Sequence, residues 1–213
     1  MDQTLEDFSL IETLRYEPQT GFVRLRLHLA RLQRSARRLG FPAPKDALSK
    51  LEAAVAGATT PLRVRLTFNR TGQAAVTTAA FKPLAADTVW RVRLAQTRID
   101  SADTLLRVKT TRRAVYEAAR AEYSADEADE VLLLNEKGEA CEGTITSIFL
   151  DDGSGRLRTP PISSGLLAGV LRTELICQRK ARVGRIRSED LANRTLYVGN
   201  SLRGLIRAQL LWN

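Results

Sequence analysis

The stretch that most constrains the fold of this chain is VLLLNEKGEACEGTITSIFL, residues 131–150. Its first four residues are apolar and favour a strand, Glu136-Lys137-Gly138 has turn chemistry, and the following run alternates in character. The alternation predicts one strand face that carries a carboxylate and two hydroxyls, from Glu142, Thr144 and Thr146. On spacing alone, such a face is more often a half-exposed strand with its polar side chains toward water. The stretch therefore predicts a β-hairpin and leaves the role of its polar face open.

Length and composition are those of a globular protein. A chain of 213 residues, 44% hydrophobic and 27% charged, suits one large or two small domains with a real core. No apolar run approaches the ~20 residues of a membrane helix, and the acidic start, residues 1–8, has no apolar segment typical of a signal peptide. Cys141 and Cys177 form neither a CxxC pair nor a disulfide framework. We therefore expect a reduced, cytoplasmic protein.

The chain is strongly basic, with a formal charge of +9 and a pI near 10.1. Nucleic-acid binding requires a basic patch. The arginines, which supply most of the positive charge here, are scattered along the chain and form no single stripe with interleaved aromatic residues. Solvated helix faces in an arginine-rich proteome, or attraction of an anionic small molecule, explain the charge better. One histidine, His28, and two separated cysteines also disfavour a metal site. No nucleophile motif supports a hydrolase built on His28.

Periodicity in the first part of the chain predicts a small α+β domain that ends near residue 82. Strands are expected at 8–15 and 22–27, helices at 28–39 and 46–56, and a second hairpin at 62–68 and 74–81. Residues 83–88 are typical of a linker. The predicted domains are therefore 1–82 and 89–213, joined by that linker.

The second part of the chain carries the hairpin of residues 131–150 among further elements. We expect a strand at 89–94, helices at 110–123 and 169–179, a short strand at 196–199 and a last apolar run at 205–211. Neither an internal repeat nor a low-complexity segment is visible.

The sequence of residues 135–149, NEKGEACEGTITSIF, resembles the cofactor strand of the class IV aminotransferases, the fold type IV pyridoxal phosphate enzymes. Branched-chain and D-amino acid aminotransferases and aminodeoxychorismate lyase are members. Further matches at 8–15, 28–32, 109 and 159–172 follow the family's order and cover nearly the whole chain. The resemblance implies an α/β (α+β) fold of two domains, like that of D-amino acid aminotransferase. A small N-terminal α/β domain would face a larger C-terminal pseudo-barrel domain, with pyridoxal 5'-phosphate between them.

The start of the chain indicates a particular branch of that family. The family's small domain usually opens with an extra strand pair before a Phe-x-x-x-Glu-Thr run, and here that run begins at Phe8. In this respect the chain is most similar to the lyase domain that is found fused behind aminodeoxychorismate synthase.

Two residues match the groups that hold the two sides of the cofactor's reactive ring. Lys109 matches the Schiff-base lysine, and Glu142 matches the carboxylate that pairs with the pyridine nitrogen, so that the ring accepts electrons. In isolation, these residues would be an ordinary surface lysine and an exposed strand glutamate. Two departures stand nearby, since Arg112 and Ser147 occupy positions where the family usually has asparagine.

A second group of residues matches the phosphate cradle. Arg31 corresponds to the family's phosphate arginine, although alone it is one of many helix-surface arginines. The backbone amides of Val170 and Leu171 would hold the phosphate at a helix N-terminus, with Gly169 allowing close approach. A plain glycine-led helix start is the ordinary explanation of that pattern.

Three further residues have weaker matches. Ser201 falls where the family places a hydroxyl near the phosphate, and Asn200 competes with it by one residue. Arg70 resembles the arginine that binds a substrate carboxylate in the lyases and the D-amino acid aminotransferases. A solvated hairpin arginine is an equally good explanation of Arg70.

The resemblance predicts an enzyme, and three hypotheses follow. The first is a 4-amino-4-deoxychorismate lyase of folate biosynthesis that releases p-aminobenzoate and pyruvate. The second is an amino acid aminotransferase of the branched-chain or D-amino acid type, which uses the same residues. The third, from another class, is a non-catalytic basic protein that binds anions or nucleic acid. Because family members are homodimers that act on small amines or amino acids, a homodimer without nucleic-acid or membrane partners is expected.

Overall fold

A computed structural model describes residues 8–192 and 194–212 of the chain. Contacts divide it into two compact units: the first takes up the chain to residue 83 together with Val108–Arg112, and the second contains 84–107 and 113–213. The acidic start considered above lies, up to residue 7, outside the described residues. Among the residues described, no helix is both long and apolar enough to cross a membrane.

The first unit is an antiparallel sheet covered by two helices. Its strands lie in the order β2-β1-β3-β4, with β1 at Leu10–Glu17, β2 at Gly21–Phe22, β3 at Leu62–Phe68 and β4 at Ala74–Ala80. Helix α1 spans Leu25–Arg38 and α2 spans Ala47–Val55. Leu10 and Leu14 of β1, Leu32 of α1 and Leu51 of α2 belong to one buried cluster, so both helices cover the same face of the sheet.

The predicted strand at 22–27 is wrong beyond Phe22. Arg24 adopts a left-handed conformation (φ 59°), and the backbone N–H groups of Leu27 and His28 donate to its carbonyl oxygen. The helix consequently begins at Leu25, three residues before the predicted start. Leu25 and Leu29 pack on the core from this first turn, so the helical period of the apolar residues prevails over local strand propensity.

The predicted helix start at residue 110 is also wrong. Helix α3 spans Ala114–Ala121, and the preceding segment Val108–Arg112 runs extended beside β1. The N–H of Ile11 donates to the carbonyl oxygen of Lys109 (3.0 Å), and the N–H of Thr111 donates to that of Ser9 (2.9 Å). Val108 packs into the first unit's core, which explains why this segment belongs to that unit and why the chain does not divide at one point.

The second unit is built around a sheet of eight strands, six of which close into a barrel. The eight strands are β5 (Val89–Ile99), β6 (Glu130–Asn135), β7 (Ala140–Gly143), β8 (Ser147–Asp151), β9 (Leu157–Thr159), β10 (Ala181–Val183), β11 (Thr195–Asn200) and β12 (Gly204–Leu210). Their order is β10-β9-β8-β11-β12-β5-β6-β7, and an additional pairing of β7 with β8 closes the ring of six, which leaves β9 and β10 outside it. Helix α3 and helix α4, at Val170–Cys177, complete the unit.

Strand β6 is buried on both faces because it separates two cores. Leu132 and Leu134 join a cluster with residues from every barrel strand, which is the barrel interior. Val131 and Leu133, which alternate with them, pack with Tyr116 and other residues of α3 outside the barrel. This double burial explains why residues 131–134 read as a continuous apolar run rather than an alternating one.

The predicted alternating strand after residue 139 is wrong in the middle. The chain follows β7 to Gly143, reverses through Thr144–Thr146, and returns as β8, so that Glu142 lies opposite Ser147. The N–H of Gly143 donates to the carbonyl oxygen of Thr146 (2.8 Å) and closes the reversal. The carboxylate and the two threonine hydroxyls therefore do not share one strand face.

Candidate functional site

A buried ion cluster fixes Arg31 in the first unit. Arg31 donates from Nε to Oε1 of Glu12 (2.8 Å) and from Nη2 to Oε2 (2.6 Å), the two-pronged geometry that makes such pairs strong. Nδ1 of His28 lies 2.6 Å from the same Oε2. All three residues are buried. Glu12, which the sequence analysis did not single out, thus sets the orientation of the predicted phosphate arginine.

The electrostatics of this cluster favour an ionised glutamate and a neutral histidine. Burial would raise the pKa of Glu12, but the charge and hydrogen bonds of Arg31, with those of His28, outweigh it and lower the pKa to about 2. Burial lowers the pKa of His28, and the neighbouring Arg31 adds to that effect, against the opposing pull of Glu12. His28 is therefore part of the packing of α1 on β1 and takes the neutral form at pH 7.

Lys109 lies on the sheet face opposite the helices. Its antiparallel pairing places it directly across from Ile11, and residues paired in this way point to the same face. Thr13 is the next residue on that face of β1, and the register of β1 with β3 sets Arg65 opposite Thr13. The predicted Schiff-base lysine and a half-buried arginine therefore share one surface of the first unit.

Arg70 stands at the tip of the β3–β4 hairpin, where its guanidinium stacks over two aromatic rings. The guanidinium carbon lies 4.8 Å from the ring centre of Phe41 and 5.8 Å from that of Phe8. The stacked arrangement orients the exposed guanidinium of Arg70. Its predicted role as a substrate carboxylate ligand remains a prediction.

Glu142 is buried in the second unit, where a phenol and a backbone N–H donate to it. The hydroxyl of Tyr116 donates to its Oε1 (2.7 Å), and so does the N–H of Leu167 (3.2 Å). Burial and the neighbouring carboxylate raise the pKa of Tyr116, so the phenol stays protonated and continues to donate. Arg113 in turn lies over the ring of Tyr116 at 4.8 Å. Tyr116 is a functional candidate that no motif had indicated.

Helix α4, whose N-terminus is predicted to bind the phosphate, starts beside Ser147, the residue paired with Glu142. Gly169 precedes α4, and a Cβ built there would lie 2.5 Å from Oγ of Ser147, which faces Glu142 across β7 and β8. Val170 and Leu171 are the first residues of α4, and the first N–H groups of a helix have no acceptor within it. The second unit therefore brings together the predicted carboxylate and the predicted phosphate cradle.

Asn200 and Ser201 lie at the turn between β11 and β12. The side-chain amide of Asn200 donates to the carbonyl oxygen of Ile145 (3.2 Å), and its Oδ1 accepts from the N–H groups of Leu202 and Arg203. Asn200 therefore has a structural role in this turn, while Ser201 is buried beside it. Of the two competing candidates, these contacts leave Ser201 as the one whose hydroxyl we expect near a phosphate.

Two buried polar groups near the start of α4 test whether a phosphate-bearing cofactor fits. Arg172 is buried and donates from Nη2 to the carbonyl oxygen of Pro160 (2.7 Å), and burial lowers its pKa against the opposing charge of Glu142. Within the described residues, Nε of Arg172 and Oγ1 of the neighbouring Thr159 are buried without a hydrogen-bond partner. This surplus of donors at a helix N-terminus fits an anionic group rich in acceptor oxygens. The residues of the second unit thus fit pyridoxal 5'-phosphate.

The predicted site residues fall into the two units. Lys109, Arg31 and Arg70 lie in the first, and Glu142, Gly169, Val170, Leu171, Asn200 and Ser201 lie in the second. Sequence reasoning missed Glu12, Tyr116 and Arg172. A charged residue at a core position of β1 was the available signal for Glu12, and for Arg172 the signal was its place at the end of the matched block 159–172. Tyr116 left no signal, because only the tertiary fold brings it to Glu142.

Comparisons with known proteins agree on one family. The model of the family Amino-transferase class IV matches residues 9–211. A provisionally named amino-acid aminotransferase from Mesorhizobium loti has a solved structure that is 52% identical, with a TM-score of 0.94 over 96% of this chain and 100% of that one. The 4-amino-4-deoxychorismate lyase from Pseudomonas aeruginosa is 25% identical, with a TM-score of 0.78 over 95% of this chain and 83% of that one.

A third structure extends the likeness of fold. The branched-chain aminotransferase from Thermoproteus uzoniensis is 22% identical, with a TM-score of 0.81 over 95% of this chain and 78% of that one, a level that shows the fold alone. Curated protein sequences gave no match. The barrel and the separate sheet described above are thus the shared architecture of these proteins.

Proposed function

We propose that this chain, which belongs to the class IV aminotransferase family of pyridoxal 5'-phosphate-dependent enzymes, is a 4-amino-4-deoxychorismate lyase. In the family, the cofactor supplies an electron sink for a carbanion formed next to the substrate's amine. Because the family consists of enzymes, the hypothesis of a non-catalytic basic binding protein is not retained.

The observation that carries this proposal is the sheet face shared by Lys109 and Arg65. The segment with Lys109 and strand β3 with Arg65 flank β1 on its two sides. Lys109 lies level with Ile11 and Arg65 lies level with Thr13, the next residue on this face, so the lysine and the arginine are separated by β1 and are one row apart. A substrate amine held at Lys109 would thus have a carboxylate-binding guanidinium within side-chain reach. 4-Amino-4-deoxychorismate carries an amine and two carboxylates, which suits Arg65 and the stacked Arg70.

In the proposed reaction the predicted residues divide the work. Lys109 would take the proton from the carbon that bears the substrate's amine, and Glu142 would pair with the ring nitrogen of the cofactor. Arg31 and the N–H groups of Val170 and Leu171 would hold the phosphate. Loss of the enolpyruvyl group then yields p-aminobenzoate, favoured by aromatisation, together with pyruvate.

The test is incubation of the purified protein, loaded with pyridoxal 5'-phosphate, with 4-amino-4-deoxychorismate. We expect fluorescent p-aminobenzoate and pyruvate in equal amounts, and no product from Lys109→Ala. Arg65→Ala should raise KM by about tenfold or more, the cost of one charge-assisted contact, whereas the exposed helix residue in Arg37→Ala should leave KM unchanged. A protein that binds the cofactor but releases no p-aminobenzoate would refute the lyase.

An amino acid aminotransferase is the second candidate, and one comparison favours it. The M. loti protein, 52% identical to this chain, is provisionally named an amino-acid aminotransferase. In that reaction Lys109 would return the proton to the cofactor instead of allowing elimination. Transfer of an amino group to a keto acid, at a rate above p-aminobenzoate release, would establish this alternative.

The proposal extends to assembly and setting. As a 4-amino-4-deoxychorismate lyase, the chain would act in folate biosynthesis, as a homodimer in the cytoplasm. The support is the family alone. Sedimentation of the loaded protein at a mass twice 23.6 kDa is the expected result, and a monomer would contradict it.

A further inference from the structure

A buried carboxylate with no part in the proposed reaction lies beneath the turn that follows Glu142. Glu130, the first residue of β6, is fully buried. Its Oε1 accepts from the N–H of Val131 (2.9 Å) and from both the N–H (3.0 Å) and the hydroxyl (2.6 Å) of Thr144. Its Oε2 accepts from the N–H of Ile145 (3.1 Å) and the hydroxyl of Thr146 (2.8 Å). Five donors thus converge on one side chain.

The nature of these partners makes Glu130 an organiser of the turn rather than half of an ion pair. In the described part of the chain no cationic side chain pairs with Glu130. Its charge is met by the dipoles of N–H and O–H groups, which lose most of that interaction if the carboxylate is replaced. Four of the five donors belong to Thr144–Thr146, so the carboxylate holds the reversal between β7 and β8 from the inside.

The same turn is held from outside by two side chains near the candidate site. Arg113 donates to the carbonyl oxygen of Thr144, and Asn200 donates to that of Ile145. Gly143 must be glycine, because a Cβ there would lie 2.7 Å from Oε2 of Glu130 and closer still to the hydroxyl of Thr146. The N–H and carbonyl groups of both Thr144 and Ile145 thus have hydrogen-bond partners, which makes the turn rigid.

A rigid turn transmits its position to Glu142 by two routes. Along the chain, it joins Glu142 of β7 to Ser147 of β8, and Ser147 contacts Gly169 at the start of α4. Through space, Arg113 bonds to the turn and lies over Tyr116, whose hydroxyl donates to Glu142. Displacement of the turn would therefore shift both the carboxylate and its donor.

We propose that Glu130 is a positioning residue that aims Glu142 at the ring nitrogen of the cofactor by fixing the Thr144–Thr146 turn. Glu130 touches neither substrate nor cofactor and acts only through the turn. The inference rests on the proposed role of Glu142 but not on which reaction the enzyme performs.

The test compares binding of two cofactors to the apoprotein: pyridoxal 5'-phosphate and its 1-deaza analogue, in which carbon replaces the ring nitrogen. In the wild-type protein we expect the natural cofactor to bind about tenfold more tightly, the value of one charge-assisted hydrogen bond. In Glu130→Gln the amide's NH₂ group meets N–H and O–H donors and displaces the turn, so the ratio of the two dissociation constants should fall toward one.

A purely structural role would leave that ratio unchanged. The matched control is Glu122→Gln, which removes a carboxylate that accepts from the N–H groups of Gln96 and Thr97 in the same unit. This control should lower Tm and leave the ratio at its wild-type value. If Glu130→Gln does not fold, Thr146→Val removes a single donor and should give a smaller fall in the ratio.

Two outcomes overturn the proposal in different ways. A folded Glu130→Gln protein with the wild-type ratio, altered only in Tm, would show that the turn does not aim Glu142. A wild-type ratio of one would show that Glu142 does not bind the ring nitrogen. Neither measurement uses a substrate, so a failure of the lyase assay is a separate result.

Discussion

At the scale of single residues, the chain places its buried charges where hydrogen bonds compensate them. Glu12 is met by Arg31 and His28, and Glu130 is met by five uncharged donors. Glu142 accepts from the phenol of Tyr116 and from the backbone N–H of Leu167. A buried carboxylate held by such hydrogen bonds is fixed in position for pairing with a cationic ring nitrogen.

The hydroxyl of Tyr116 can be removed without changing the shape of the side chain. We expect Tyr116→Phe to lose about 1 kcal/mol of the interaction that orients Glu142 and to lower kcat by about fivefold to tenfold. The measurement is steady-state kinetics on the loaded enzyme. Tyr123→Phe, which removes a hydroxyl that donates to the carbonyl oxygen of Leu94, is the control and should keep kcat. Equal losses in both variants would contradict the special role of Tyr116.

The pKa of Glu12 predicts how acid affects stability. This pKa is about 2 in the folded protein against an ordinary 4.5, so the folded state favours the ionised form. The corresponding stabilisation, about 3 kcal/mol, is complete above pH 5 and is lost as the pH falls toward 2. Urea unfolding at several pH values should show this loss in the wild-type protein. In Glu12→Gln the slope between pH 5 and pH 2 should be shallower, and parallel curves would refute the assignment.

At the scale of elements, close backbone approach positions the second unit's candidate groups. The start of α4 rests on β8 because Gly169 has no side chain, and β11 approaches α4 where Gly199 lies against Leu171. A helix that begins this close to a barrel strand directs its first N–H groups to the same region as Glu142. This close approach is possible because glycine has no Cβ, so adding a single methyl group tests it.

Gly169→Ala places a Cβ 2.5 Å from Oγ of Ser147. We expect the start of α4 to shift, with a loss of about 1–3 kcal/mol in the free energy of unfolding and weaker binding of pyridoxal 5'-phosphate. Cofactor titration and thermal denaturation measure the two effects. The double variant Gly169→Ala/Ser147→Ala removes the clashing oxygen and should recover most of both losses, whereas additive losses would show that the clash is not the cause.

At the scale of the whole molecule, charge and connectivity are the notable properties. The chain has a formal charge of +9, and its first unit is assembled from two separate stretches, the second of which contains Lys109. The insertion of Val108–Arg112 beside β1 means that the predicted Schiff-base lysine depends on long-range strand pairing, not on its local sequence. A net positive charge also raises the local concentration of anions.

The charge predicts a salt dependence that distinguishes substrates. 4-Amino-4-deoxychorismate has two carboxylates and one ammonium group and is therefore a net anion. Its kcat/KM should fall by several-fold as ionic strength rises from ~0.02 to ~0.5 M, because salt screens long-range attraction. A zwitterionic amino acid has no net charge and should show little change in the same assay. Equal salt dependence for both would indicate that charge does not steer the substrate.

Local pattern was enough for much of the fold of this chain. Turn residues at 69–72 and alternation in β3 and β4 specify a hairpin that the structure reproduces to within a residue, and the motifs together indicated the fold type. Such features depend on residues a few positions apart, whose preferences are set by backbone sterics and by the period of burial.

Tertiary structure alone decided the features that distant contacts create. The sequence by itself determined the family, the cofactor class and the approximate order of strands and helices. It did not determine that Thr144–Thr146 reverse the chain, that Lys109 lies in an extended segment beside β1, or that Glu12 pairs with Arg31. Each of these depends on a buried polar group that must find its partner across 14 or more residues of sequence, as Glu130 does in Thr144. The free-energy cost of burying such a group without a hydrogen-bond partner exceeds the local preference for a strand or helix. The distant partner therefore decides the final backbone geometry, and the local sequence pattern does not.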